Sequence, residues 1–163
     1  MVKEARDVLH RRLVAVFASE EFGQLWPGVA APKVYLGFPV NEPPFYVAVD
    51  EVTEAVSTTG AASMGHVEVQ FTLRVWAFAQ HADLQTAADT MLAYVEAVMM
   101  AVCADHRLCW TVDNAFPSVD AAGTAADSSK RYNAAASVQV RCTVFSQCPA
   151  ALRKVVENAE SDG

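Results

Sequence analysis

Two cysteines and a histidine lie close together in the sequence and are its best candidates for chemistry. Cys103, His106 and Cys109 follow one another at intervals of three residues, and Cys148 could add a fourth ligand. Thiolate and imidazole groups suit tetrahedral zinc, and an activated thiol can act as a nucleophile. Structural zinc sites usually bring ligands in C-x-x-C pairs, which the chain lacks. We therefore expect these thiols to be core residues, with neither metal nor cofactor bound.

The other polar residues show no catalytic pattern. The four histidines (His10, His66, His81 and His106) have charged or polar neighbours and match no nucleophile-elbow or Cys-His pattern. Paired carboxylates occur at 20–21 and 50–54, but no spacing separates an acid from a base. Glycine motifs that cradle phosphate are absent from the sequence. We expect no enzymatic activity; a small-molecule-binding or enzymatic domain using Cys103, His106 and Cys109 is the alternative.

The composition favours one domain with partners of its own kind. The chain has 163 residues, of which 53% are hydrophobic and 19% charged, with a mean hydropathy of +0.17. No apolar run looks long enough to span a bilayer, so we expect no membrane contact and assign the surplus apolar surface to subunit contacts. A net charge of −7 argues against nucleic-acid backbone binding. The charged N-terminus predicts a cytoplasmic chain with reduced thiols and no disulfide.

Two segments alternate strictly and predict long strands. In "HVEVQFTLRVWAFAQHADLQTAADTML", residues 66–92, apolar residues fall at every second position to Phe78 and then every third or fourth. This change predicts a strand followed by a long helix over 84–102, capped by Asp83. Residues 133–148 repeat the alternation, so the two strands are expected to pair antiparallel.

The remaining segments complete the predicted order. They are a helix at 2–18, a proline-rich connector at 21–45 that excludes a helix and allows a short strand at 34–36, a strand at 45–56, a mobile hairpin tip at 57–65, a short strand at 108–112 and a long polar loop at 113–131. We predict an α+β fold: a mainly antiparallel sheet with the N-terminal and the long central helix on one face. Residues 1–148 form this single domain, and 149–163 form a C-terminal tail.

One face of the two long strands is polar. Its side chains are candidates for an interface, because the opposite face supplies the core. They are Glu68, Gln70, Thr72, Arg74 and Trp76 on the first strand, with Gln139 and Arg141 on the second.

The order of elements resembles a family of phage proteins. The segment "VEVQFTLRVWAFAQHADLQTAADTMLAYVEAVMMAV" and the N-terminal "VKEARDVLHRRLVAVF" are similar to the tail terminator, or tail-completion, proteins of long-tailed bacteriophages. The resemblance covers most of residues 2–148.

The resemblance implies a structural function without catalytic residues. Such proteins form hexameric rings that cap the tail tube, end its polymerisation and offer a surface for head joining. The expected partners are further copies of the chain, the tail tube protein and a head-neck connector protein. DNA would pass through the ring without sequence-specific binding, and the polar face of the two long strands would serve a subunit interface or the ring lumen. The expected location is the head-tail junction of the virion, after synthesis in the bacterial cytoplasm, and another neck or head-closure protein is the alternative.

Overall fold

A computed structural model describes residues 2–50, 57–59, 66–147 and 159. The helices are α1 (Val2–Ala18), α2 (Glu20–Leu25) and α3 (Leu84–Cys103), and the strands are β1 (Lys33–Leu36), β2 (Phe45–Asp50), β3 (Ser57–Thr59), β4 (His66–His81), β5 (Asn114–Ala126) and β6 (Tyr132–Gln147). The strands form one sheet in the order β1-β2-β4-β6-β5, with β3 paired to β4. β1 is parallel to β2 and every other pair is antiparallel. The predicted α+β class is confirmed.

β4 and β6 form the centre of the sheet, as their alternation predicts. They pair antiparallel over 16 residues each, with Arg74 opposite Gln139 and Thr72 opposite Arg141. Alternate side chains of both strands, such as Leu73 on β4, enter the hydrophobic core. The pairing therefore places one row of side chains in the core and the next row on the other face.

Two helices cover a single face of the sheet. α1 buries Leu9, Leu13 and Phe17, and α3 buries a longer row of side chains around Tyr94. The apolar row predicted for α3 also included Leu84 and Leu92, but these are 44% and 50% exposed. The buried side of α3 is therefore displaced around the helix from the predicted row, and it includes Thr90, Ala93, Tyr94, Ala97 and Ala101.

α3 begins where its capping residue predicts. The Asp83 carboxylate accepts hydrogen bonds from the Thr86 backbone N–H at 2.8 Å and from the Thr86 hydroxyl at 2.7 Å. These bonds lower the pKa of Asp83. By length and composition alone α3 could cross a membrane, contrary to our expectation, yet 56% of its apolar window is buried inside the fold. Its contacts are those of a core helix.

The connector begins with a helix, although its prolines and glycines were predicted to exclude one. α2 forms because Ser19 caps it, accepting the Phe22 backbone N–H at 3.3 Å. Phe22 is buried and anchors this short helix. The first proline, Pro27, lies beyond the last helical residue, so the prolines limit α2 without preventing it. The predicted strand at 34–36 is confirmed as β1.

The predicted strand at 108–112 is wrong. Leu108, Cys109 and Trp110 have φ angles of 45°, 55° and 65°, in the left-handed region that side-chain-bearing residues rarely adopt. The Asp105 carboxylate accepts the Cys109 N–H at 2.9 Å and holds this turn. Leu108 is fully buried, so an apolar residue here anchors a turn and no strand.

The predicted polar loop at 113–131 is also wrong, because most of it is β5, paired along its length with β6. Its first residues alternate: Ala115 and Pro117 are buried while Phe116 is exposed. Further along, alanine, glycine and threonine carry no apolar pattern, and pairing with β6 supplies the hydrogen bonds of the strand. β5 therefore forms a hairpin with β6 at the edge of the sheet.

Some predictions reach residues outside the described part of the chain. The strand predicted at 45–56 is confirmed as far as Asp50, and residues 51–56 lie outside it. In the predicted tip at 57–65, residues 57–59 form β3, and the rest lies outside. Apart from residue 159, the tail at 149–163 also lies outside the described ranges, so its boundary remains a prediction.

Candidate interaction surface

The face of the sheet opposite α1 and α3, here called the uncovered face, holds all seven interface candidates from the sequence. β4 contributes Glu68, Gln70, Thr72, Arg74 and Trp76, and β6 contributes Gln139 and Arg141 beside them. No helix of the described chain packs against this face. Gln70 and Arg141 are exposed, whereas Thr72 is only 3% exposed. The candidates therefore form one continuous surface, with Thr72 beneath its longer neighbours.

Arg74 is the centre of a polar cluster on this face. Its Nη2 lies 3.7 Å from Asp120 Oδ2 of β5, and the Ser137 hydroxyl donates to the same oxygen at 3.3 Å. The Arg74 guanidinium carbon also lies 5.7 Å from the centre of the Trp76 ring. Asp120 stands at a register shift in β5, which brings its carboxylate to the arginine. The cluster ties the edge hairpin to β4.

Two donors in this cluster lack an acceptor. Among the described residues, Arg74 Nε and Trp76 Nε1 are buried without a hydrogen-bond partner. A buried donor left unpaired costs roughly 1–3 kcal/mol. The uncovered face therefore has two hydrogen-bond donors, Arg74 Nε and Trp76 Nε1, that lack acceptors in the isolated chain.

Aromatic side chains occupy both ends of the uncovered face. At one end Trp76 contacts Phe38 at 5.8 Å between ring centres, and Tyr46 stacks on Phe78 at 4.9 Å. At the other end Phe116 and Phe145 are 61% and 64% exposed. Exposed aromatic and arginine side chains are typical of protein interfaces and their hot spots.

Phe116 and Asp120 belong to this surface but were not among the interface residues predicted from the sequence. Both lie on β5, within the segment predicted to be a loop. The alternation of Ala115, Phe116 and Pro117 was the available signal, but it is brief and includes a proline. Proline is tolerated in edge strands, so a short alternating run containing one is compatible with β5.

The cysteine and histidine residues do not assemble into a site within the described chain. Cys103, His106 and Cys109 are exposed, so the expectation that these two cysteines are core residues is wrong. They lie at the end of α3 and in the turn that follows, beyond the covered part of the helix. No group of three or more His, Cys, Asp and Glu side chains among the described residues could hold a metal ion, and Cys148 lies outside them.

Cys142 behaves differently, because it is 1% exposed in the core. Burial raises the pKa of its thiol to about 12, so the reactive thiolate is suppressed.

We predict that a maleimide modifies Cys103 and Cys109 in the native protein and reaches Cys142 only after unfolding. Peptide mass spectrometry after timed labelling measures this. Rapid native labelling of Cys142 would contradict the buried position, and labelling in denaturant is the control.

Comparisons with known proteins identify no family for this chain. No protein-family model matches it, and no curated protein matches it. Among solved structures, it is similar to a chain of the "Virion of native gene transfer agent (GTA) particle", with 14% sequence identity and a TM-score of 0.47. The match covers 85% of this chain and 93% of that chain. The overlap is broad, but the two chain traces superpose loosely.

Proposed function

We propose that this protein is a structural component of a phage virion that caps the tail tube as a ring. It would end tube polymerisation and provide the surface for joining the head. The observation that carries the proposal is the uncovered face of the sheet, a broad surface with exposed aromatic and arginine side chains. The resemblance to tail terminators in the sequence of β4 and α3 supplies the specific function.

The side chains of the uncovered face favour a contact between proteins over a channel for DNA. Arg74 and Arg141 would attract phosphates in a channel, and counterion release would make DNA adhere. Exposed Phe116 and Phe145 would meet water there, at a cost in free energy. A subunit or tube interface buries the aromatic rings and can pair the arginines. We therefore assign this face to protein contacts, and the lumen to other surfaces of this acidic chain.

The proposal includes no catalysis. Cys103, His106 and Cys109 are separate, exposed side chains at the end of α3. Arg12 Nη2 donates to Cys109 Sγ at 3.7 Å, and among the described residues no histidine or carboxylate hydrogen-bonds to this thiol. Nothing in these contacts favours the alternative of an enzymatic domain using these groups.

A tube-length assay tests the proposed function. Tail tubes are grown from the tail tube protein of the source phage, with and without this chain, and measured by negative-stain microscopy. We predict that the wild-type chain stops growth and appears as a ring at one tube end. Phe145→Ser should weaken capping roughly thirtyfold, as loss of an aromatic hot spot does.

Leu92→Ser is the matched control, because Leu92 is 50% exposed on α3, which packs against the other face of the sheet. It should cap like the wild type. Unchanged tube length with wild-type chain, together with a monomer at high concentration, would refute the tail-terminator function. Binding to the head connector without any effect on tubes would instead identify a head-closure protein.

A further inference from the structure

An apolar groove crosses the helical layer, on the opposite side of the molecule from the uncovered face. It lies between α3 and the α1–α2 pair, with a volume of about 400 Å³. Its lining includes Val16, Phe22, Leu25, Trp26 and Met100. Leu25 and Met100 are 64% and 57% exposed, so apolar side chains stand open to solvent here. Such a groove can accept an apolar side chain from a partner.

The rim of the groove is acidic. Glu21 is exposed and lines the groove, and Glu96 is exposed on α3 beside it. Glu96 accepts a hydrogen bond from Trp26 Nε1 at 3.0 Å, which fixes the carboxylate at the groove wall. A fitting partner therefore presents an apolar group with a positive charge next to it.

The uncovered face presents such a pair. Phe116 on β5 is directly opposite Arg141 on β6, and both side chains are exposed. An aromatic ring beside a guanidinium is the combination that is enriched at interface hot spots. Because the pair and the groove lie on opposite sides of one chain, they cannot meet within a single molecule.

We propose that Phe116 and Arg141 of one copy insert into the α1–α2–α3 groove of the next copy. The ring fills the apolar groove, and the guanidinium faces Glu21 and Glu96. Two different patches meeting in this way make a heterologous contact, which generates a closed ring when the rotation between copies closes. The inference rests on the proposed ring and names the surfaces that build it.

Complementary disruption tests the contact in the full-length chain. Met100→Asp blocks the groove and Phe116→Asp blocks the inserted side chain, and both residues are exposed, so the fold should persist in each variant. Analytical ultracentrifugation over rising concentration measures assembly. We expect each variant alone to lose at least about thirtyfold in self-association. An equal mixture should give heterodimers and nothing larger, because the mixture retains only one competent pairing.

The controls are matched to each variant. Leu92→Asp changes an equally exposed residue of α3 outside the groove lining, and Val119→Asp changes an exposed residue of β5 that is not paired with Arg141. Both should assemble like the wild type, and circular dichroism should show every variant folded. A charge exchange adds a second measurement: Arg141→Glu should weaken assembly about tenfold, and Glu21→Arg in the same chain should restore it.

The outcomes separate this contact from the function it serves. Variants that assemble like the wild type, or a mixture without heterodimers, would overturn the contact, as would a wild-type chain that stays monomeric throughout. If wild-type chain still shortens tubes in the tube-length assay, the tail-terminator function stands and other surfaces build the ring. If tubes are unaffected as well, both proposals fail.

Discussion

Tyr94→Ala is expected to destabilise the fold by about 4 kcal/mol, in the range for loss of a buried aromatic side chain. Tyr94 is fully buried in α3. Its ring lies 5.7 Å from that of Phe17 and 6.4 Å from that of Phe22, measured between ring centres. Its hydroxyl donates to the Ala30 carbonyl at 2.5 Å. One side chain thus connects α1, α2 and the connector to α3, and urea unfolding followed by circular dichroism measures its contribution.

Tyr94→Phe separates the hydroxyl from the ring. Burial raises the pKa of Tyr94 above its ordinary value, so the hydroxyl is a protonated donor at neutral pH. Its loss should cost about 1 kcal/mol, because the ring contacts persist while the Ala30 carbonyl loses its partner. A Tyr94→Ala variant no less stable than Tyr94→Phe would show that the ring contacts contribute nothing.

Much of the fold could be predicted because period and burial coincide in its central elements. β4 and β6 each have one face in the core and one outside, so every second residue is apolar and the strands are recognisable. α1 and α3 lie on the same core, and their apolar spacing follows the helical period. In these elements the spacing of apolar residues in the sequence shows directly which side chains are buried in the core.

The wrong predictions concern elements that are formed by tertiary contacts and hydrogen bonds and that lack an apolar periodicity in the sequence. Residues 121–126 of β5 are exposed on both faces, so no alternation marks them, and β6 alone makes them a strand. The turn at Leu108 is held by the Asp105 carboxylate, an interaction that apolar periodicity does not report. α2 has only six residues, too few to show a helical period, and it is stabilised by its Ser19 cap and by burial of Phe22.

The interaction surface could be predicted only in its central rows for the same reason. Arg74 and Gln139 were recognisable because their strands alternate, and the register places them opposite each other. Phe116 requires β5 to be known, and the groove requires the packing of α1 and α2 on α3. The further from a long strand a contact group lies, the less its sequence neighbours reveal its position.

The turn after α3 has a more specific support, and removing it is expected to have the second large effect. Arg12 of α1 is 16% exposed; its guanidinium donates to the Ala101 carbonyl at 3.1 Å, to the Asp105 carbonyl at 2.8 Å and to the Asp105 carboxylate at 2.7 Å. The Ala101 carbonyl lies in the last turn of α3, where backbone acceptors lack partners within the helix, whereas the Asp105 carbonyl lies in the turn and also accepts the Leu108 N–H at 3.1 Å. Arg12→Met keeps the apolar stem and should cost about 2 kcal/mol, the value for hydrogen bonds to a charged group.

Arg11→Met provides the matched control, because Arg11 is the exposed neighbour on the same helix and should change stability by less than about 0.5 kcal/mol. Hydrogen exchange should show faster exchange at residues 105–113 in Arg12→Met alone.

The Cys109 N–H, the Arg107 N–H and Arg12 lower the pKa of Asp105, in that order. Its contribution is therefore complete above the ordinary carboxyl pKa and is lost as the pH falls through the lowered value. Arg12→Met removes one of these three causes, so the acid-dependent loss of stability should become smaller, while the Cys109 and Arg107 N–H bonds maintain the rest. Unchanged exchange at residues 105–113 would mean that these two backbone bonds hold the turn without Arg12.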